Sequence, residues 1–458
     1  MSRAAVSAVA TALAVVVAAV AAEPPARLRS TVERLAPERL AAAHARVDHL
    51  RGAVTPADPI AGLRDYRAIF HAHAGDAAHT AGTPEELLAD AVRVGVDVVF
   101  LSDHYRPPRD FMESWRGVRQ GVLFVPGSEA HGFLIHPDVS VASLMDGPEP
   151  DLIAGVEAGT GMAFLSHVEE RADHPMTGVT GMEIYNRHAD AKDDAESMRV
   201  LVDWMTEPEG AARLADSLGR YPEEVFAAQL DYPGLYLAKW DRETAVRRVV
   251  GVAANDCHHN QVFVVKKVDD THVRIGTVVD ADAEMTVLGV DRQLGIADLV
   301  RDHAPGEVVG RFDFDPYWVA MRNTSTHVLA PRLEEAAIRA AVAAGHVYVA
   351  HDWMADPTGF TFSLEVEGTG ERVVMGDGVE LSRAGAAALV ARFPYECRIR
   401  LLRGGTEVLS MEGSSLRYVL QEPGVYRVEG WLSVDEEWRS WVYSNPIYVD
   451  LIESLPVQ

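Results

Sequence analysis

The side chains with the greatest capacity for chemistry begin in the stretch FHAHAGDAAHTAGTPEELL, where His71, His73 and His79 stand beside Asp76 just before a helix start. A His-x-His pair closing a strand puts both rings on one face through the period-two alternation of side chains. Comparable groups recur along the chain. Ser102, Asp103 and His104 follow Leu101; Glu129 ends PGSE after Val125; Ser166 and His167 follow Leu165. Tyr185 and Asn186 follow Ile184, and NDCHH after Ala253 supplies Asp256, His258 and His259. Neutral imidazoles and carboxylates together suit Zn, Mn or Fe. Three such ligands plus water make a catalytic metal site, and a carboxylate such as Glu129 can bridge two cations. This many groups predicts a polynuclear centre of two or three divalent transition metals. Any one of these histidines alone is read more economically as a strand cap or a satisfied core residue; the whole set at strand ends is not.

What must position them is a series of short apolar runs alternating with helical patterns. Strands are predicted over 67–70, 96–101, 122–125, 163–165, 182–184, 249–253 and 347–350, and helices over 84–94, 195–205, 222–230 and 332–344. That order is the pattern of βα units around a parallel sheet, and in a closed or nearly closed barrel the carboxyl ends of the strands form one rim. The polar groups would then converge on one site.

At 458 residues the chain exceeds the usual size of one domain. The net charge of -26 argues against a nucleic-acid or anionic-membrane surface, so a small-molecule substrate is expected, and an anionic one would need bound metal to reverse the local field. Cys257 and Cys397 are too few for a disulfide framework or a Cys-rich zinc module, and Cys257 is expected to be a buried thiol. Residues 1–22 have the layout of a secretory signal, one Arg, an apolar run and small residues before Glu23. This predicts export to the periplasm or beyond, with no later membrane span; an Ala-rich anchor over 4–22 is the alternative. Residues 23–65 are expected to form a helical appendage, 66–358 the barrel with its insertions, and 359–458 an all-β sandwich of immunoglobulin-like type, because short alternating runs there are separated by Gly and Pro turns. The insertion 187–241 is a candidate lid, and 261–291 a candidate hairpin. Trp431, Trp438 and Trp441 are expected in core packing. The sequence carries no signal for oligomeric state.

The ordered motifs HAH…H…TPEELLADAVRVGVDVVFLSDH, PGSE, LSH, GMEIYN and GVAANDCHH resemble those of the polymerase and histidinol phosphatase (PHP) family of metallohydrolases, and the C-terminal part is similar to that of the secreted branch containing carbaryl hydrolases. The resemblance implies an α/β fold, a distorted (β/α)7 TIM-like barrel with a two- or three-metal centre that hydrolyses phosphoesters. Carried over by position, it implies His71, His73, His79, His104, Glu129, His167, Asp256 and His258 as ligands, Glu129 bridging, and Asp256 or His258 moving a proton to the leaving group. After the fifth strand it leaves Asn186 or His188 open as a third-metal ligand, with Arg187 and His188 as candidates to grip a substrate anion. Asp103 would orient His104 or cap its loop, Asp76 is read as a loop residue, and His131, His136 and His259 are expected at the surface. His351 and Asp352 end the last predicted strand, where lining the rim is the less favoured reading. Hydrolysis of a carbamate, carboxylester or amide on the same centre is the alternative activity, and a non-catalytic metal-containing binding protein the third. The signal pattern predicts that the mature chain from the native host starts near Glu23; an intact Met1 or Ser2 terminus on N-terminal sequencing would contradict it.

Overall fold

The computed structural model describes residues 24–52, 60, 62–113, 115–192, 195–289, 295–368, 370, 372–380 and 387–450. The signal-like segment 1–22, the linker 53–59 and the end of the expected hairpin at 290–291 lie outside the described residues. The fold is mixed α/β. A single-turn helix, α1 (Thr31–Arg34), and a 15-residue helix, α2 (Pro37–Arg51), precede β1 (Arg64–Ala72). Then come α3 (Pro84–Val94), β2 (Val98–Leu101), β3 (Gly117–Arg119), β4 (Val122–Val125), β5 (Ser128–Ala130) and β6 (Phe133–His136). They are followed by α4 (Glu149–Ala158), β7 (Met162–Leu165) and β8 (Gly181–Asn186). Helices α5 (Arg187–Lys192), α6 (Ala195–Thr206), α7 (Pro208–Arg220), α8 (Pro222–Ala227) and α9 (Gly234–Thr244) fill the insertion before β9 (Val250–Cys257).

Strand β1 pairs in parallel with β2 on one side and with β9 on the other; β2 continues to β4, and β9 through β8 to β7, all parallel. Between β4 and β7 the chain departs from a simple βα alternation. β5 and β6 form an antiparallel hairpin, and β6 pairs antiparallel with β7. The cause is local: His131 and Gly132 have φ of 53° and 85°, and two successive left-handed residues make the two-residue turn that favours a tight hairpin. The Glu129 amide donates to the Ser102 carbonyl at 2.9 Å, tying this hairpin to the end of β2.

Helix α3 shows how the sequence sets these elements. Thr83 caps its N-terminus by accepting from the Glu86 amide, Pro84 opens it, Glu85 and Glu86 sit at the positive end of the dipole, and Gly95 closes it at φ 72°. Its buried Leu87, Leu88 and Ala91 pack with Ile69, Val99 and Phe124. Among the buried side chains of β1, β2 and β7, Phe70 stacks on Phe100 at 4.1 Å and meets Phe164 edge-on at 5.6 Å. His136, expected at the surface, is fully buried there with its edge against Phe100, because it ends a buried strand; Gly127 opposite has no room for a Cβ beside that ring.

The second insertion is larger than a hairpin. β10 (Val262–Lys267), β11 (His272–Thr277), β12 (Thr286–Gly289) and β13 (Val308–Asp313) make an antiparallel sheet in the order β12-β11-β10-β13, with α10 (Ile296–Val300) between the last two in sequence. Helix α11 (Tyr317–Asn323), β14 (Ser325–Ala330), α12 (Glu335–Ala343) and β15 (Val347–Ala350) follow; β14 pairs antiparallel with β1 and with β15. The remaining strands are β16 (Thr361–Val366), β17 (Arg372–Val374), β18 (Gly378–Val379), β19 (Ala387–Arg403), β20 (Thr406–Val419), β21 (Gly424–Val434), β22 (Glu437–Ser444) and β23 (Ile447–Val449). β19 pairs with β16, β20 and β21, while β22 pairs with both β21 and β15, so hydrogen bonding runs on from β15 into the C-terminal strands. Trp431 and Trp441 are buried as expected of core residues, and Trp438 is half-buried.

At the foot of β1 the buried His327 ring lies between Asp65 Oδ1 at 2.8 Å and Asp352 Oδ1 at 3.0 Å, with Tyr348 stacked on it at 4.7 Å. Asp352 also accepts from Ser325, which commits it to this cluster and not to the rim. Burial opposes the charged imidazole, but the two carboxylates outweigh it and raise its pKa to about 10. A raised pKa in the folded state means stability that is full below the unfolded value of about 6.5 and is lost as pH rises through the folded value. His327→Gln should therefore cost about 3–5 kcal/mol at pH 6, as breaking a buried pair does, with the gap to wild type narrowing by pH 10 in denaturant titrations. A gap that does not change with pH would contradict this.

Candidate metal centre

The ends of the strands deliver the side chains. β1 carries His71 near its end and leads to His73, β2 leads to His104, β5 carries Glu129, β7 leads to His167, β8 carries Glu183 and Asn186, and β9 carries Asp256 and leads to His258. His71, His167 and Asp256 adopt φ of 61°, 47° and 49°. Non-glycine residues pay of order 1 kcal/mol or more for this left-handed region, and such strain concentrates at functional sites. In β1 and β9 it coincides with a shift of register between the strands, so simple alternation ends just where these side chains turn inward.

Four imidazole nitrogens converge on Glu129. His167 Nε2 is 3.2 Å from Oε1, and Nε2 of His71, His104 and His73 lie 3.4, 3.4 and 3.8 Å from Oε2. Asp256 faces the same space, with Oδ1 3.4 Å from His71 Nε2 and Oδ2 3.7 Å from His167 Nε2. His258 Nε2 is 3.0 Å from Asp256 Oδ1, and its ring stacks on His73 at 4.1 Å. Among the described residues, potential ligand atoms fall into three compact sets: His71, His167 and Asp256; His71, His73 and Glu129; His73, Asp76 and His258.

The far sides of these rings are occupied too. His71 Nδ1 is 2.7 Å from the buried Glu183, His73 Nδ1 3.0 Å and His104 Nδ1 2.7 Å from Asp76, and His167 Nδ1 2.9 Å from Glu169. Partners of this kind place the proton on Nδ1 and leave the Nε2 lone pair facing inward, which is how metal-binding histidines are oriented. Nε2 of His71 and of His73 is buried without a hydrogen-bond partner among the described residues, so the donor set fits a cation.

The charges are polarised accordingly. Burial would raise the Glu129 and Asp256 carboxyls, but His71 and its neighbours hold both well below the usual range. Asp76 is likewise held down, against its burial, by His104 and His73. Hydrogen bonds to Asp76 and Glu129 raise His104 to about 9. Burial opposes charging His167, yet Glu129 and Glu169 raise it to about 10. His73 is pushed down to about 3 by burial and by His258.

Of the residues singled out in the sequence, His71, His73, His104, Glu129, His167, Asp256 and His258 are brought together. His79 is exposed, its ring 5.0 Å from those of His104 and His258, and it joins none of the three sets. Asp103 accepts from the Ala74 amide at 3.1 Å, while Asp76 orients His104. Asn186 bonds Glu183 at 3.2 Å and Asp256 at 3.5 Å, and His188 contacts Gln261 at 3.1 Å. Arg187 is fully buried, its Nε donating to the Asn255 carbonyl at 2.9 Å and its guanidinium 4.5 Å over Phe226, so it does not meet solvent. His259 bridges Glu86 and Asp313 rather than facing water. His131 is exposed as expected, Cys257 is a buried free thiol, and His351 is buried against Tyr185. Asp76, Glu169 and Glu183 were missed. Asp76 was visible only as a carboxylate three residues after His73, and Glu183 only as a lone acid inside the apolar run GMEIYN.

Neither a known protein family nor any curated protein matches the chain. Among solved structures it is similar to a two-domain protein containing a predicted PHP-like metal-dependent phosphoesterase from Bacteroides vulgatus, with 11% identity and a TM-score of 0.31 over 85% of this chain and 98% of that one. So distant a likeness carries no weight here. The geometry gives its own test. Asp76→Asn should weaken Zn or Mn binding by about 10–100-fold in calorimetric titrations, as loss of an orienting carboxylate does, and more than His79→Ala. The reverse order would contradict the assignment of Asp76 to the site.

Proposed function

We propose that this chain is an exported, metal-dependent phosphoesterase of the PHP type, built as a distorted (β/α)7 barrel with a C-terminal immunoglobulin-like sandwich. The observation that carries the reading is the convergence of four imidazole Nε2 atoms on the Glu129 carboxylate, with Asp256 facing the same space. His71, His73, His104, His167, Glu129, Asp256 and Asp76 would hold two or three divalent cations from among Zn, Mn and Fe. When bound, such cations supply Lewis acidity toward phosphoryl oxygens and acidify water near neutral pH.

The chain's own groups do the remaining work. Glu183 and Asp76 fix the rings of His71, His73 and His104. His258 is held at both nitrogens, by Asp256 at 3.0 Å and by Thr80 at 2.8 Å, so a proton on Nε2 is shared with Asp256 and available to a departing oxygen. A surface with net charge -26 favours a phosphoester only if cations reverse the field locally, which is why metal content and phosphoesterase activity should fall together. Export rests on the pattern of residues 1–22; no helix among the described residues is long and apolar enough to cross a membrane.

Elemental analysis of the purified chain, combined with phosphomonoester, phosphodiester, carbamate and carboxylester substrates, tests the reading. At least two transition-metal ions per chain are expected, with loss of metal in the His71→Ala, His73→Ala double variant. Glu129→Gln should reduce phosphoester turnover by about a hundredfold or more. Full turnover in that variant, or cleavage by the metal-loaded wild type of neutral esters alone, would overturn the phosphoesterase reading and leave the carbamate or ester alternative. An intact chain that binds no metal would remove both.

A further inference from the structure

A cavity of about 380 Å³ opens beside the centre, and two residues belong to both: Asn186, which reaches Asp256, and Glu169, which holds His167. Its remaining wall comes largely from α5, from the turn before α9 and from the start of α9. The cavity is roomy enough for an organic group, since ligand pockets begin at roughly 300 Å³.

The chemistry of the wall is one-sided. Among the described residues it carries three carboxylates, Glu169, Asp190 and Asp231, against one cation, Arg27, which is already paired with Asp231 at 2.5 Å. The tyrosine hydroxyls on the wall are committed: Tyr185 donates to Asp190 at 2.9 Å, Tyr232 to Glu429 at 2.9 Å, and Tyr236 to Glu169. These rings therefore offer carbon surface, while the carboxylates offer acceptor lone pairs, several to each group. A second phosphate or a carboxylate would meet like charge here, with no free cation among the described residues of the wall to offset it. A group rich in N–H or O–H donors would find acceptors on one side and aromatic surface on the other.

We infer that this cavity binds the organic part of the substrate, and that this part is a non-anionic hydrogen-bond donor: the hydroxyls of a polyol or the ammonium of an amine. The inference rests on the phosphoesterase reading, because it assigns the group esterified to the phosphate. Leu235, on the wall and 49% exposed, gives a means of blocking the space without disturbing the core.

The test is binding to the metal-loaded full chain, followed by saturation-transfer NMR with glucose, ethanolamine and glucuronate as probes. Glucose or ethanolamine should bind, glucuronate should not, and Leu235→Trp should weaken the bound probe by about tenfold or more, the scale on which pocket contacts discriminate. Whichever of the two binds identifies the source of the donors. Equal binding of glucuronate, binding indifferent to Leu235→Trp, or no binding of any probe would overturn the inference. Hydrolysis of methyl phosphate, whose methyl group is too small to fill the cavity, reports separately on the phosphoesterase reading.

Discussion

Glu129 places a carboxylate within 3.2 to 3.8 Å of four imidazole nitrogens, and Asp256 places another within reach of two of the same rings. Packing so many polar groups into a buried space is costly unless every lone pair and proton has a partner. Glu183, Asp76 and Glu169 satisfy the outer nitrogens, and the inner ones are left facing each other and the two acids. The surrounding fold is organised around that constraint. A cation is the partner that turns an assembly of buried lone pairs from a liability into a stable unit, and divalent binding adds its own free energy to folding.

The backbone accommodates the constraint at identifiable places. His71, His167 and Asp256 leave the extended region at the strand ends, which aims their side chains into the common space at the cost of left-handed conformations. The β5–β6 hairpin interrupts the parallel run and carries Glu129 across to Ser102, where its amide is anchored. Below, the aromatic layer of Phe70, Phe100 and Phe164 supplies rigid support, as close-packed interiors do. To one side, Arg427 pairs with Asp241 at 2.7 Å and, with Arg400, grips the buried Glu429, joining α9 to the C-terminal strands. The wall of the cavity beside the centre is thus braced by the strands that follow it in sequence.

Much of this was legible in the sequence. The strands over 122–125 and 347–350 and the helix over 84–94 match the observed bounds, because each is a compact apolar run or a clearly capped amphipathic stretch. The seven gathered residues were legible as well, since each follows an apolar run. Asp76 was not, because its burial depends on His104, which lies 28 positions on and comes beside it only through the pairing of β1 with β2. His136 was misread because a histidine ending a buried strand looks, in sequence, like one opening a loop. His79 shares the spacing of a ligand, but its loop leaves the ring exposed. The four-stranded sheet was only half visible, since β13 lies far along the chain from the alternating segment it completes.

The central claim is that the convergent nitrogens and carboxylates hold a cluster of divalent cations. Anomalous diffraction from crystals of the metal-loaded protein tests it most directly. The account predicts at least two anomalous peaks, roughly 3.5–4 Å apart as in two-metal sites, lying between Glu129, Asp256 and the Nε2 atoms of His71, His73 and His167. Peaks confined to surface histidines such as His272, or an empty centre at saturating metal, would contradict it.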